Sequence, residues 1–316
     1  MAHSVTVIGA RGYTGSELLP LLWRHPEFEL AAVGSRSAAG ERVADSIQSL
    51  DGCELLYSDI TPENLADHPA DAFILALPNG DAADFVAAVD RACRDSVIVD
   101  LSADYRFDDS WTYGLPERFA EKISSAKRVA NPGCYATGMQ FALLPLVDRL
   151  ATTPCAFGVS GYSGAGRSRS RKNDPEALRD NLLPYSLAGH VHEREVTHQL
   201  GRPVRFLPHV ASFFRGISLT LSAELDDPIT AAELQGLYED AWGGCKLIAV
   251  QEAAPEVRQI QGRHGVKIGG FTISDSPPGS IALVCVLDNL LKGAATQAVQ
   301  NLNLAFGHDS LAGLPL

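Results

Sequence analysis

The chain of 316 residues has no long apolar run. None approaches the roughly 18 residues a membrane helix needs, so neither a span nor a membrane partner is expected. It also lacks positive charge. Lys and Arg number 26 against 38 Asp and Glu, for a formal net charge of −12. That argues against nucleic acid as a partner, because phosphate contacts need clustered cations. Cysteine pairs are missing too: the six cysteines stand apart at 53, 93, 134, 155, 245 and 285, with no C-x-x-C. Neither a zinc site nor any other metal site is expected. The opening Met1-Ala2-His3-Ser4-Val5 has no charged segment leading into an apolar core. A disulfide framework is therefore not expected, and the expected compartment is the cytoplasm. No repeat or low-complexity tract occurs. What is present is an ordinary globular composition, 46% hydrophobic and 20% charged, long enough for two domains.

The first half alternates strands with helices. Val5-Thr6-Val7-Ile8 reads as a buried strand, followed by Gly9-Ala10-Arg11-Gly12-Tyr13-Thr14-Gly15, a helix through Trp23 and a strand over Phe28–Val33. A strand, glycine turn, helix and strand in this order is the setting of a dinucleotide site, with the pyrophosphate held at the helix N-terminus. The glycine spacing is G-x-x-G-x-x-G. Gly34-Ser35-Arg36-Ser37 closes the second strand with an Arg where NAD-selective sites prefer Asp or Glu, which suits a ribose 2′-phosphate and hence NADP. Ala72–Leu77 and Ser96–Asp100 are further strands around a helix from Asp81 to Arg94. Ligands bind beyond the carboxyl ends of such strands, so Pro78-Asn79-Gly80 and Ser102 to Arg106 should line the cofactor cleft.

Asn131-Pro132-Gly133-Cys134-Tyr135-Ala136-Thr137 comes next. Pro132 and Gly133 force a turn, and apolar residues at three- and four-residue steps from Met139 to Leu150 predict a buried helix. Cys134 would open that helix, where the dipole favours a thiolate. A small apolar core group is the equal alternative on this stretch alone. Acidity alone would bring little. A thiol made a hundredfold more acidic gains about 25-fold in thiolate at neutral pH but loses about 8-fold in nucleophilicity. Positioning can supply roughly 7–11 kcal/mol, so the turn should matter mainly by aiming the sulfur.

Beyond Cys134 strands dominate. Ile217–Ala223 alternates strictly, Leu247–Val250, Val266–Ile273 and Ile281–Leu287 are further strands, and Thr230 caps a helix to about Trp242. The tail from Asp288 to Phe306 is helical. The fold class is therefore α/β: a Rossmann-type parallel-sheet domain plus an α+β domain with a largely antiparallel sheet. Phe157 to Lys172 reads as a glycine-rich loop whose positives can receive a substrate phosphate or carboxylate, the alternative being a mobile surface loop with solvated charges. His190-Val191-His192-Glu193-Arg194-Glu195 has two imidazoles at i, i+2, spaced for a strand face or bent loop and suited to acid–base work. A third metal ligand is lacking there.

With these residues in view, the chain resembles the N-acetyl-γ-glutamyl-phosphate reductase family of arginine biosynthesis, similar in plan to aspartate-semialdehyde dehydrogenase. The resemblance runs almost end to end. It rests on the motifs Gly9 to Gly15, Asp100-Leu101-Ser102-Ala103-Asp104, Asn131 to Thr137, Gly164-Ala165-Gly166-Arg167 and Lys292-Gly293-Ala294-Ala295 through Gln297 to Asn301. It implies an NADPH-dependent reductase of an acyl phosphate, with Cys134 as nucleophile and His190 as acid–base group, His192 and Glu195 close by. The expected cofactor contacts are Gly9, Arg11, Gly12, Tyr13, Thr14, Gly15, Ser35, Arg36, Ser37, Pro78, Asn79, Ser102 and Asn289. The expected substrate contacts are Arg106, Asn131, Ser163, Gly164 and Arg167. Residues 1–133 with 289–316 would bind NADP(H), and 134–288 would carry catalysis and assembly. Relatives imply a homodimer or homotetramer. Arg11 stands where the family usually has a small Ser, and the Thr-Pro usual after the second His is missing. The alternatives are another phosphorylating semialdehyde dehydrogenase, acting on an aspartyl or carrier-bound aminoadipyl phosphate, and a non-catalytic NADP-binding sensor.

Overall fold

The computed structural model describes residues 2–47, 49–50 and 52–316. Two compact units arise, Met1–Gly133 with Ala294–Leu316, and Cys134–Gly293. Among the described residues each unit is built on one seven-stranded sheet.

In the first unit the strands are β1 (His3–Ile8), β2 (Phe28–Gly34), β3 (Tyr57–Ser58), β4 (Ala72–Leu75), β5 (Val97–Asp100), β6 (Thr112–Tyr113) and β7 (Arg128–Ala130). Their order is β3-β2-β1-β4-β5-β7-β6, and every pairing is parallel. Strands covered on both faces need no polar side, which explains why β4 and β5 are buried at every position. Helix Tyr13–Trp23 packs on β2, and helix Thr296–Ala305 packs on β5 and on Tyr13–Trp23. Phe73, Leu75 and Ile98 join Val86 and Val89 of helix Ala82–Ala92 in one apolar cluster. The chain runs from β1 to β2 on one side and later returns to β4 on the other. The crevice of this sheet therefore opens at the carboxyl ends of β1 and β4. β4 stops at Leu75 rather than Leu77, and the Ala76 carbonyl just beyond it lies against Gly9.

In the second unit the strands are β8 (Cys155–Gly161), β9 (Leu183–Pro184), β10 (Arg205–Ala211), β11 (Ile217–Glu224), β12 (Ile248–Val250), β13 (Val266–Ser274) and β14 (Ser280–Leu287), ordered β12-β13-β14-β11-β8-β10-β9. Pairings β13–β14, β14–β11, β11–β8 and β10–β9 are antiparallel, while β12–β13 and β10–β8 are parallel. The helix Cys134–Leu143 lies against β11 and β14. Its last carbonyls, which have no partner within a helix, receive bonds from a neighbouring helix. Tyr238 Oη donates to Ala142 O and Trp242 Nε1 to Phe141 O, both from helix Ala231–Trp242. Thr230 caps that helix with Glu233 in a reciprocal box.

Two further expectations change. The segment from Phe157 is not all loop: its beginning lies in β8, an inner strand of the sheet between β11 and β10. Gly158 suggests a turn, but it is there because a side chain would meet the rings of Tyr135 and Phe206 at 2.6 and 2.7 Å. Likewise His190 to Glu195 is neither strand nor bent loop. It opens a helix, Val191–Leu200, that Gly201 ends in the left-handed conformation.

Candidate active site

Cys134 is the first residue of its helix and is partly exposed, whereas Tyr135 to Leu143 are all buried. The thiol is thus set apart from the packed apolar side chains that follow it. Tyr135 carries the neighbourhood onward. Its ring lies 6.5 Å from that of His190 and 6.0 Å from His192, and its hydroxyl donates to His209 O at 2.9 Å. The ring of Tyr185 is 5.7 Å from that of His190, and Lys172 Nζ sits 4.9 Å over the Tyr185 ring. Burial, and after it the charge of a Cys134 thiolate, pushes Tyr185 well above the usual phenol range. Tyr185, close enough to feel a Cys134 thiolate, thus also touches His190 and Lys172, and His190 lies beside Tyr135. Sequence reasoning left out Tyr185 and pooled Lys172 with the other cations of its loop.

His190 is the N-cap of its helix. Its Nδ1 accepts the backbone N–H of His192 at 3.1 Å. An imidazole whose Nδ1 accepts must carry its proton on Nε2. Burial, then the Lys172 charge, lowers its pKa to about 4, with Glu193 opposing. The ring at neutral pH is a neutral Nε2–H donor. Glu193 is occupied elsewhere: Oε1 accepts from Gly189 N at 3.0 Å and Oε2 from Phe206 N at 2.8 Å. Glu195 is fully enclosed on the same helix.

Ser163 and Gly164 follow β8 in a 3₁₀ turn, and Arg167 is exposed beyond it. Asn289 belongs with this group. Its Nδ2 donates to Ser163 Oγ at 2.9 Å and its Oδ1 accepts from Gly216 N at 2.7 Å. Asn289 thus lies in the unit of Cys134, apart from the other expected cofactor residues.

Those residues gather in the first unit at the carboxyl ends of β1, β2, β4 and β5. Gly9 has φ +82°, and a Cβ there would lie 2.3 Å from Ala76 O. At Gly15 a Cβ would lie 2.2 Å from Ala10 O, so only glycine lets the helix approach this closely. Gly12 caps Tyr13–Trp23 without a side chain, no acid occupies the first turn, and a Cβ at Gly12 would meet only Gly9 O at 3.6 Å. A helix start left clear in this way fits a pyrophosphate. Arg11 Nη1 reaches Ser37 O at 3.2 Å and Ser37 Oγ at 3.3 Å, tying the glycine turn to the end of β2. The side chain of Arg36 is 85% exposed, with Asp59 3.8 Å from its Nε, an exposed pairing worth little. Ser35 is buried beside them.

Asn79 Oδ1 accepts from Ala103 N at 3.0 Å, and Ser102 Oγ donates to Asp100 Oδ2 at 2.6 Å. Burial raises the Asp100 carboxyl above its usual range. Asp104, which sequence reasoning did not single out as a contact, accepts from Gly80 N and Ala82 N and so joins the Pro78–Gly80 turn to the Ser102 turn. Arg106 Nε donates to Asn131 O at 2.9 Å, and Asn131 Oδ1 accepts from Asn301 Nδ2 at 2.9 Å. Of the expected substrate contacts, Arg106 and Asn131 therefore fall in the first unit and Ser163, Gly164 and Arg167 in the second.

Residues 4–126 match the family model "Semialdehyde dehydrogenase, NAD binding domain", and residues 134–289 match "Semialdehyde dehydrogenase, dimerisation domain". N-acetyl-gamma-glutamyl-phosphate reductase of Xanthomonas oryzae pv. oryzae is 51% identical over 313 residues, 98% of each chain. That of Stenotrophomonas maltophilia is 53% identical over 310 residues, covering 98% of this chain and 97% of the relative. The chain belongs to the N-acetyl-gamma-glutamyl-phosphate reductase family. The first unit of this family member is accordingly a nicotinamide-cofactor domain. Aspartate semialdehyde dehydrogenase II of Vibrio cholerae, solved in complex with ASA, superposes with a TM-score of 0.79 at 20% identity, covering 96% of this chain and 98% of its own. The Candida albicans aspartate semialdehyde dehydrogenase with NADP gives 0.74 at 17% identity, covering 96% and 98%. These likenesses show the shared α/β fold of the reductase family. Among the described residues no helix is long and apolar enough to cross a membrane.

Proposed function

We propose that this chain reduces N-acetyl-glutamyl 5-phosphate to N-acetyl-glutamate 5-semialdehyde with NADPH, releasing phosphate, as a step of arginine biosynthesis. The observation that carries the reading is the partly exposed Cys134 at a helix start, beside a helix capped by a neutral Nε2–H imidazole. The family relationship supports the acyl phosphate. The Cys134 thiolate attacks the acyl carbonyl carbon, the C–O bond to phosphate breaks, and a thioester forms on sulfur. His190 Nε2–H faces the developing charge as a hydrogen-bond donor to the carbonyl oxygen. Its Nδ1 is held by the helix start, so the neutral ring offers Nε2–H as a hydrogen-bond donor and keeps its proton. When bound, the reduced nicotinamide would supply a hydride to the thioester carbonyl carbon, leaving negative charge on its oxygen. The oxygen's charge then collapses back and Cys134 leaves as thiolate.

NADPH rather than NADH is supported by Arg36, by Arg11 held on Ser37, and by the lack of a carboxylate in Gly34 to Ser37. Tyr13, Thr14 and Gly15 would present backbone N–H groups to the pyrophosphate. Pro78, Asn79 and Ser102 would border the dinucleotide, with Asn289 as a further contact. Arg106, Asn131, Ser163, Gly164 and Arg167 would receive the substrate, with Glu195 and His192 backing His190. Residues 1–133 with 294–316 serve the cofactor and 134–293 serve catalysis and assembly, following the division of the two units rather than a boundary at 289. The dimerisation model matched over 134–289 supports a homodimer or homotetramer.

The test is phosphate-dependent reduction of NADP⁺ by N-acetylglutamate semialdehyde, run beside aspartate semialdehyde. Turnover of the first alone is expected. Preference for the second would replace the substrate, and turnover of neither would reject the enzyme.

A further inference from the structure

Cys134 is held from behind by backbone. The second unit ends in a segment, Asp288 to Gly293, whose last residues enter a π-helical turn over Leu291–Ala295. A turn of this kind inside a helical run is uncommon and recurs at functional sites. The segment is fixed at many points. The Asp288 carboxylate, fully buried, accepts from Arg215 Nε at 2.6 Å and Nη2 at 3.1 Å. It also accepts from Gly262 N at 2.7 Å, Leu290 N at 2.9 Å and Leu291 N at 3.3 Å. Asn289 adds its bonds to Gly216 and Ser163. Gly293 N then donates to Asp288 O at 2.9 Å, which closes the turn.

The outcome of this bracing is the place of Gly293. A Cβ on it would lie 2.7 Å from Cys134 Cβ and 3.2 Å from Cys134 Cα. Carbon atoms rest at about 3.5–4.0 Å, so a methyl group there needs roughly 1 Å that the braced segment cannot give. The nucleophile would have to move instead.

We propose that Gly293 is a positioning residue: held by the Arg215–Asp288 brace, its bare backbone sets where Cys134 points. This rests on the reading of Cys134 as nucleophile. A misplacement of about 1 Å can cost about 100-fold in rate. Cys134 is partly exposed, so a small reagent that needs no aim should still reach it.

The experiment compares the full chain with Gly293→Ala, Gly138→Ala and Arg215→Lys. Gly138 lies one turn along the same helix, but its Cβ would press on Leu219 Cδ1 at 2.5 Å and Leu287 Cδ2 at 2.8 Å, apolar side chains rather than Cys134. For Gly293→Ala we expect kcat to fall about 100-fold with KM little changed, and iodoacetamide to alkylate Cys134 within about 3-fold of the parent rate. Gly138→Ala should lower the melting temperature while keeping kcat. Arg215→Lys loosens the brace without adding an atom near the sulfur, and should lower kcat with KM unchanged even if Gly293→Ala does not fold. Equal kcat losses in the two alanine variants, or parent-like kcat in both Gly293→Ala and Arg215→Lys, would overturn the proposal. Turnover by the parent tests the enzyme reading separately. Should the parent not turn over, crystal structures of the parent and of Gly293→Ala, or Arg215→Lys if that does not fold, decide the matter. Cys134 must shift in the variant, and an unmoved backbone within about 0.3 Å refutes the positioning role.

Discussion

Acidification of the His190 site separates a neutral donor from an ordinary acid–base histidine. The ring is packed by Tyr135, Tyr185, His192 and Phe206, with the Lys172 charge against it and Glu193 on its own helix. Burial is the larger cause of its depressed pKa, about 4, and Lys172 the second. At pH 5.5 a group with that value remains roughly 97% neutral, whereas an ordinary imidazole near 6.5 is only roughly 9% neutral. The assay is a titration of ¹⁵N-histidine resonances from pH 7.5 to 5, with His190→Gln to assign the signal. The expected spectrum keeps a proton on Nε2 and a bare Nδ1 throughout. Lys172→Met should raise the midpoint without restoring the ordinary value, because burial remains. Stability follows the same sign. The unfolded chain takes up this proton below about pH 6.5 and the folded chain only near 4, so the stabilisation is full above about 6.5 and is lost as pH falls toward 4. A midpoint above about 6, or a proton on Nδ1, would refute both the cap assignment and the donor role.

Cys134→Ser should lose at least about 1,000-fold in reductase activity while binding NADPH as the parent does, measured by fluorescence titration; substantial turnover would reject the covalent route. Arg36→Asp should weaken NADPH by about 10–100-fold, in line with one charge-assisted bond of about 1.5–3 kcal/mol, and leave NADH within about 3-fold. Equal losses for the two cofactors would reject the 2′-phosphate contact. Asp288→Ala strands Arg215 and three backbone N–H groups, and should cost roughly 3–5 kcal/mol in urea unfolding. A loss below about 1 kcal/mol would mean the pair is not the brace described here.

What could be read from the chain and what could not divide along a physical line. The parallel sheet was legible because its longer strands are short, mostly apolar runs that alternate with helical segments, so the pattern survives without knowledge of the partners. Strand β11 was legible for the opposite reason, its strict alternation. β8 was not, since Gly158 is a glycine only because Tyr135 and Phe206 fill the space of its side chain, a fact about two distant segments. His190 is the same case. The i, i+2 spacing said nothing of a helix, because the signal lay in its Nδ1 and in the Glu193 carboxylate, which cap backbone N–H groups as Ser or Thr and Glu do elsewhere. The two errors share a cause: in each, a residue type with a strong usual meaning was serving a neighbour's geometry. Gly293 extends this to chemistry. In a sequence it is one glycine of a helical tail, which by propensity alone costs about 1 kcal/mol against alanine. A residue that is costly where it stands, yet has no room for anything larger, is explained by what it touches, and what Gly293 touches is Cys134.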